Sequence, residues 1–176
     1  KVKDFSIFDG ITFFDYQKFS IQKMLEARRS ILCLDMGLGK TLCALACCNV
    51  LKDHDIRKTI IVCPNNLKYQ WAAEIEKFNI GTSCVINKGT DLLLYIKQDF
   101  LIISYEMLNR NQYVLENHNF DIAIVDEIQK AKNGESVTWK TLSKLKTNFL
   151  FTLSGTPVQN SVSDLTSIIS LINKYE

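Results

Sequence analysis

At 176 residues, 47% apolar and with a formal net charge of only +2, the chain is long enough to bury one proper core and too neutral to announce a nucleic-acid binder by charge alone. No apolar run approaches the roughly 18 residues of a membrane span, which excludes a bilayer-spanning helix and predicts a single globular domain over residues 1–176 with no membrane partner. Six cysteines, at 33, 43, 47, 48, 63 and 84, fall within predicted strands and helices with no C-x-x-C pair, so they read as small, reduced, buried residues of an intracellular protein and not as a metal site. The chain opens on Lys1 without a targeting segment and reads as a piece excised from a longer protein.

In chain order, Phe13-Phe14-Asp15-Tyr16-Gln17 precedes a predicted helix through Arg28, with Gln17, Ile21, Met24, Leu25 and Arg28 on one side. Gln17 sits at the start of that side, where its amide could read an adenine edge or simply face solvent; spacing alone leaves both open. Ser30 to Leu34 reads as a buried strand, and Thr41 to Leu51 as a helix apolar on every side. Between them lies Met36-Gly37-Leu38-Gly39-Lys40-Thr41. Strand, glycine loop and helix start form a phosphate cradle: backbone N–H groups and the helix dipole face the anion, Lys40 adds a full charge, and Thr41 offers its hydroxyl to magnesium. The full pattern G-x-x-x-x-G-K-[ST] is not met, because Leu34 occupies its first position.

Lys58 to Val62 is the next predicted strand, closed by Cys63-Pro64-Asn65-Asn66; a helix follows from about Leu67 to Phe78, with Leu67, Trp71, Ile75 and Phe78 on one stripe and Trp71 as a core anchor. Ser83 to Ile86 reads as a short strand, Asp91 to Lys97 as a helix, and Phe100 to Ser104 as a central strand. Ile122 to Val125 leads into Asp126-Glu127, where P-loop enzymes place the carboxylate that holds magnesium. Lys130, Lys132, Lys140, Lys144 and Lys146 follow, most simply a solvated face and otherwise a patch for a phosphate backbone. Leu150 to Leu153 is the last strand, ending at Ser154-Gly155-Thr156-Pro157, and Ser163 to about Tyr175 the last helix. Alternating strands and helices predict an α/β fold, a mostly parallel sheet with helices on both faces, and such sheets bind ligands at the strands' carboxyl ends. Every polar motif above falls at such an end, so the sites should converge.

These residues resemble a known family. The P-loop, Asp126-Glu127 and Ser154-Gly155-Thr156 resemble the first RecA-like lobe of superfamily-two helicase-type ATPases. Asp15-Tyr16-Gln17, Met36 to Thr41, Pro64 with Leu67, Trp71 and Glu74, Ser104-Tyr105-Glu106 and Gly155-Thr156-Pro157-Val158-Gln159-Asn160 narrow the resemblance to Swi/Snf-type double-stranded DNA translocases. The motifs stand in family order from about residue 14 to 165.

The resemblance implies a RecA-like P-loop NTPase domain that binds ATP and Mg2+. It assigns Gln17 to adenine, Met36, Gly37, Leu38, Gly39 and Lys40 to the phosphates, Thr41 and Asp126 to magnesium, and Glu127 to the attacking water. Gln129, Ser154 and Thr156 would couple the γ-phosphate state to the rest of the motor. Asn65, Asn66, Ser104, Tyr105, Gln159 and Asn160 would touch the backbone of double-stranded DNA, contacts that carry little sequence information. Gln129 stands where the family usually has histidine, yet it can still bond to the Ser154 loop. A second RecA-like lobe, whose arginines complete such a site, is the further implied partner, so the isolated lobe should hydrolyse ATP barely or not at all. The alternatives are a lobe of a strand-separating or restriction-type enzyme of the same superfamily, and an interaction module that has lost catalysis. The implied location is intracellular, nuclear in a eukaryote and cytoplasmic in a prokaryote or virus.

Overall fold

The computed structural model describes residues 8, 10–88, 92, 97–131, 136–155 and 162–173. Six strands form one sheet in the order β1-β6-β5-β2-β4-β3, and each of its five pairings is parallel. They are β1 (Arg29–Cys33), β2 (Thr59–Cys63), β3 (Ser83–Val85), β4 (Phe100–Ser104), β5 (Asn119–Val125) and β6 (Lys146–Ser154). The expected α/β class and the internal position of β4 are both observed. Helices α1 (Asp15–Ala27), α2 (Lys40–Lys52), α3 (Lys68–Lys77), α4 (Tyr105–Arg110), α5 (Gln112–Glu116), α6 (Val137–Lys144) and α7 (Val162–Ile172) cover the sheet. Among the described residues no helix is long and apolar enough to cross a membrane.

Strand residues alternate between two cores, as the pleat requires. Ile61, Ile102, Ile122, Ile124, Phe151 and Leu153 face α1, α2 and α3, where Cys43 to Cys48 are almost wholly inaccessible, so the all-round apolar helix is buried as its sequence demanded. Ile60, Val62, Leu101, Ile103, Ala123 and Val125 face Met107, Leu108, Leu115, Trp139, Leu142 and Ile168 on the other side. The three short helices there, α4 to α6, were not expected. Side-chain caps start two of them: Ser104 accepts the Met107 N–H at 3.2 Å and Ser136 the Trp139 N–H at 3.1 Å. Burial of all six cysteines holds only for 43, 47, 48 and 63, because Cys33 and Cys84 lie on β1 and β3, the two edge strands. The helix expected at 91–97 falls mostly outside the described residues.

At the amino end of β4, the Asp99 carboxylate accepts the Thr82 N–H at 2.9 Å and the Thr82 hydroxyl at 3.0 Å. Partial burial raises the Asp99 pKa, but the Thr82 bonds and the Lys58 and Lys52 charges outweigh it and hold the carboxyl below its ordinary range. A lowered acid pKa contributes stability that is present above the unfolded value and lost as pH falls through the folded one. Asp99→Asn should therefore lower the melting temperature at pH 7, with the gap to the parent closing below about pH 4, as thermal scans across pH would show.

Candidate active site

Three neighbouring strands end at the site. Cys33 of β1 aligns with Ser154 of β6, and Val125 of β5 with Thr152 of β6, so the P-loop, Ser154 and Asp126 share the carboxyl end of the sheet. The Leu34 N–H donates to the Ser154 carbonyl at 3.3 Å, which stitches the loop after β1 to β6.

Gly37 (φ +82°) and Gly39 (φ +85°) turn the chain into α2, and Gly39 caps the helix with no side chain over its first N–H groups. A Cβ on Gly37 would meet nothing within 4 Å, whereas one on Gly39 would stand 2.5 Å from Gln17 Nε2. Gly37→Ala should cost about 1–2 kcal/mol for the left-handed backbone. Gly39→Ala adds overpacking of about 1–3 kcal/mol and pushes Gln17 away, so it should weaken nucleotide binding as well. Denaturant unfolding and nucleotide titration would separate the two effects.

Gln17 is buried in the third position of α1. Its Oε1 accepts the Phe14 N–H at 3.0 Å and its Nε2 donates to the Leu38 carbonyl at 3.2 Å, and the Tyr16 hydroxyl donates to the same carbonyl at 3.2 Å. One hydrogen and one lone pair of the amide remain, which is what a two-point reading of a base edge needs. Lys40 donates through Nζ to the Leu34 carbonyl at 2.7 Å and the Asp35 carbonyl at 3.2 Å, at the mouth of the loop.

A cleft of about 170 Å³ is lined by Met36, Gly37, Lys40, Thr41, Leu67, Gln70, Trp71, Asp126 and Glu127. The four residues expected to share one metal and phosphate group therefore do meet. Asp126 is buried, and both its carboxylate oxygens are held: Oδ2 by the Trp71 indole N–H at 3.0 Å, Oδ1 by the Glu127 N–H at 2.9 Å. Burial pushes the Asp126 carboxyl above the usual range; the Trp71 bond opposes this and the Glu127 charge adds to it. Glu127 Oε2 accepts Gln129 Nε2 at 2.5 Å, and Gln129 Oε1 accepts the Ser154 hydroxyl at 2.9 Å. That chain runs from the β5 carboxylates to the end of β6, the bridge expected of Gln129.

The donor set suits magnesium. A threonine hydroxyl and one carboxylate are hard oxygen ligands, and Mg2+ is commonly held by one or two protein oxygens together with substrate phosphates. Among the described residues no group of three acidic, histidine or cysteine side chains could hold a metal without such help.

Expectation and structure part at the nucleic-acid residues. Asn65 and Asn66 are exposed on a tight turn between β2 and α3, beside the cleft. Ser104, expected at DNA, is buried with its hydroxyl capping α4. Tyr105, expected there too, turns inward and donates from its hydroxyl to the Asp126 carbonyl at 2.6 Å and the Glu127 carbonyl at 3.3 Å. Burial, with the nearby Asp126 and Glu127 charges, raises the Tyr105 pKa well above normal, so the phenol stays a donor. Thr156, Gln159 and Asn160 lie outside the described residues, as does Lys132. Lys144 pairs with Glu116 at 3.0 Å, and Lys146 opens β6 at the amino end of the strands, opposite the cleft. Trp71 and Gln70 were missed as cleft residues; a buried indole N–H that needs a partner was the available signal for Trp71.

Residues 16–175 match the model of the SNF2-related domain. The chain belongs to the SNF2-related domain family. Human "DNA repair and recombination protein RAD54B" is 32% identical over 94% of this chain, and the Saccharomyces cerevisiae "TATA-binding protein-associated factor MOT1" is 30% identical over 81% of it. The SWI2/SNF2 ATPase core of Sulfolobus solfataricus, solved in complex with dsDNA, superposes with a TM-score of 0.86 at 26% identity over 94% of the chain. The fold of this SNF2-related domain is thus the RecA-like fold of such cores. The chain spans 20% of the human relative, 9% of the yeast relative and 36% of the Sulfolobus solfataricus core.

Proposed function

We propose that this SNF2-related domain is the ATP-binding lobe of an ATP-dependent double-stranded DNA translocase. The observation that carries the reading is the meeting of Lys40, Thr41, Asp126 and Glu127 around one cleft. Lys40 would hold the β and γ phosphates, with the loop N–H groups and the start of α2 facing the same charge. Thr41 and Asp126 would hold magnesium, which supplies charge neutralisation at the transferring phosphoryl group. Glu127 would orient the attacking water and take its proton, its carboxylate fixed by Gln129. Gln129 and Ser154, with Thr156, would report the state of the γ-phosphate to the end of β6.

Two relatives support the DNA partner: the Sulfolobus solfataricus core was solved in complex with dsDNA, and the human relative is named for DNA repair and recombination. Contacts would be with the phosphate backbone, from Asn65, Asn66, Gln159 and Asn160. A second RecA-like lobe of the same protein would supply arginines worth about 10³ to 10⁵ in rate.

The test is ATP turnover by the full-length protein with and without linear duplex DNA, beside residues 1–176 alone. The full-length protein should be stimulated by duplex, should not displace a strand, and should exceed the isolated lobe by about 10³-fold or more. Strand displacement would favour the strand-separating alternative. Absence of turnover with retained nucleotide binding would favour the inert module.

A further inference from the structure

Two side chains from separate elements converge on the Asp126-Glu127 pair. Tyr105, the first residue of α4, donates to the carbonyls of both Asp126 and Glu127, and Trp71 of α3 donates to the Asp126 carboxylate. Between these bonds sits Glu127 at φ +52°, in the left-handed region. That conformation disfavours a residue with a Cβ and persists only where the surroundings enforce it. Here the enforcement is visible. The Tyr105 hydroxyl ties the two carbonyls, and the Glu127 N–H is tied to Asp126 Oδ1. The turn so held is the one in which the Glu127 carboxylate reaches Gln129, and in which Asp126 lines the cleft with Lys40 and Thr41.

We infer that Tyr105 and Trp71 are positioning residues for the proposed hydrolysis, Tyr105 by holding the Asp126–Glu127 peptide in its left-handed turn and Trp71 by orienting the Asp126 carboxylate toward the metal. The inference rests on the ATPase reading and deepens it. Tyr105 acts through the backbone of the pair, and Trp71, at the cleft wall, acts through the Asp126 carboxylate that it bonds. Trp71 lies on α3, which follows β2, and Tyr105 directly follows β4, so the segments after these two strands are each hydrogen-bonded to the pair.

The test uses Tyr105→Phe and Trp71→Phe in the full-length protein, each removing a donor while keeping a ring. Tyr105→Phe should lower kcat about 10- to 100-fold, the scale of a small misplacement of a catalytic group, with KM for ATP within about twofold. Trp71→Phe should raise the Mg2+ concentration at half-saturation of a fluorescent ADP analogue about 10-fold or more, as loss of an outer-shell partner does, while affinity for the metal-free analogue stays unchanged. A purely structural role would lower the melting temperature without separating kcat from KM or metal from nucleotide. Folded variants with wild-type kcat and wild-type Mg2+ dependence would overturn the inference. Failure of Tyr105→Phe to fold would overturn the Tyr105 half, and the Mg2+ titration decides Trp71 by itself. A wild-type protein without turnover would sink the proposed activity instead, an outcome distinct from unchanged variants of an active enzyme.

Discussion

Glu127→Gln should lower ATP turnover of the full-length protein by about 10² to 10⁴, the range that a general base contributes, while nucleotide affinity stays within a few-fold. The amide is isosteric and can still face Gln129, whose side chain rotates to offer its oxygen in place of the 2.5 Å donor bond to the Glu127 carboxylate. What is lost is the capacity to accept a proton from water. The geometry of the turn should survive, because it is set by backbone bonds to the Tyr105 hydroxyl and Asp126 Oδ1 and not by the Glu127 side chain. Single-turnover hydrolysis beside equilibrium binding of a fluorescent nucleotide would read both quantities. A parallel loss of binding would mean that Glu127 holds the nucleotide, contrary to the role argued for it.

Lys40→Ala should act on binding and chemistry together. The ammonium is the one full positive charge among the described residues lining the cleft, and charge-assisted bonds to phosphate are roughly twice as strong as neutral ones. Affinity for Mg·ATP should fall about 10- to 100-fold, consistent with charged hydrogen bonds of about 1.5–3 kcal/mol. Turnover should fall further, because charge on the transferring group is neutralised most in the transition state. Lys40 also bridges the Leu34 and Asp35 carbonyls at 2.7 and 3.2 Å, so a stability loss of about 1–2 kcal/mol should accompany the change. Isothermal titration with a non-hydrolysable analogue, beside denaturant unfolding of the same samples, would apportion these effects.

Much of this site is legible in the sequence because its chemistry is local. The P-loop needs two glycines, a lysine and a threonine at fixed spacing between a strand and a helix, and Asp126-Glu127 needs only to end an apolar strand. Their meeting follows from a general property of parallel sheets, that ligands bind at the carboxyl ends of the strands. The particular order β1-β6-β5, which sets the P-loop beside Ser154 and Ser154 beside Asp126, is a tertiary fact.

What residue spacing leaves hidden has one cause. Trp71 lies on a stripe with Leu67 and Ile75, and that spacing describes packing correctly: Trp71 is buried in the core beneath α3. Spacing says nothing about which acceptor a buried indole N–H finds. Tyr105 opens a short helix whose cap, Ser104, turns the chain at the end of β4. Without that helix the Ser-Tyr pair looks like a surface loop, and the inward path of the phenol is hidden. Helix α6 was obscured because Lys140 and Lys144 within it read as charge and not as the outer face of an amphipathic turn, with Trp139 and Leu142 inside.

The central claim is that one magnesium-bound nucleotide sits where Lys40, Thr41, Asp126 and Glu127 meet. A crystal structure of the full-length protein with a non-hydrolysable ATP analogue and Mn2+ in place of Mg2+ tests it most directly, because manganese marks its own position by anomalous scattering. The account predicts one metal peak beside the Thr41 hydroxyl and the Asp126 carboxylate, with the terminal phosphate at Lys40. A nucleotide bound away from α2, or a metal peak remote from Asp126, would contradict it.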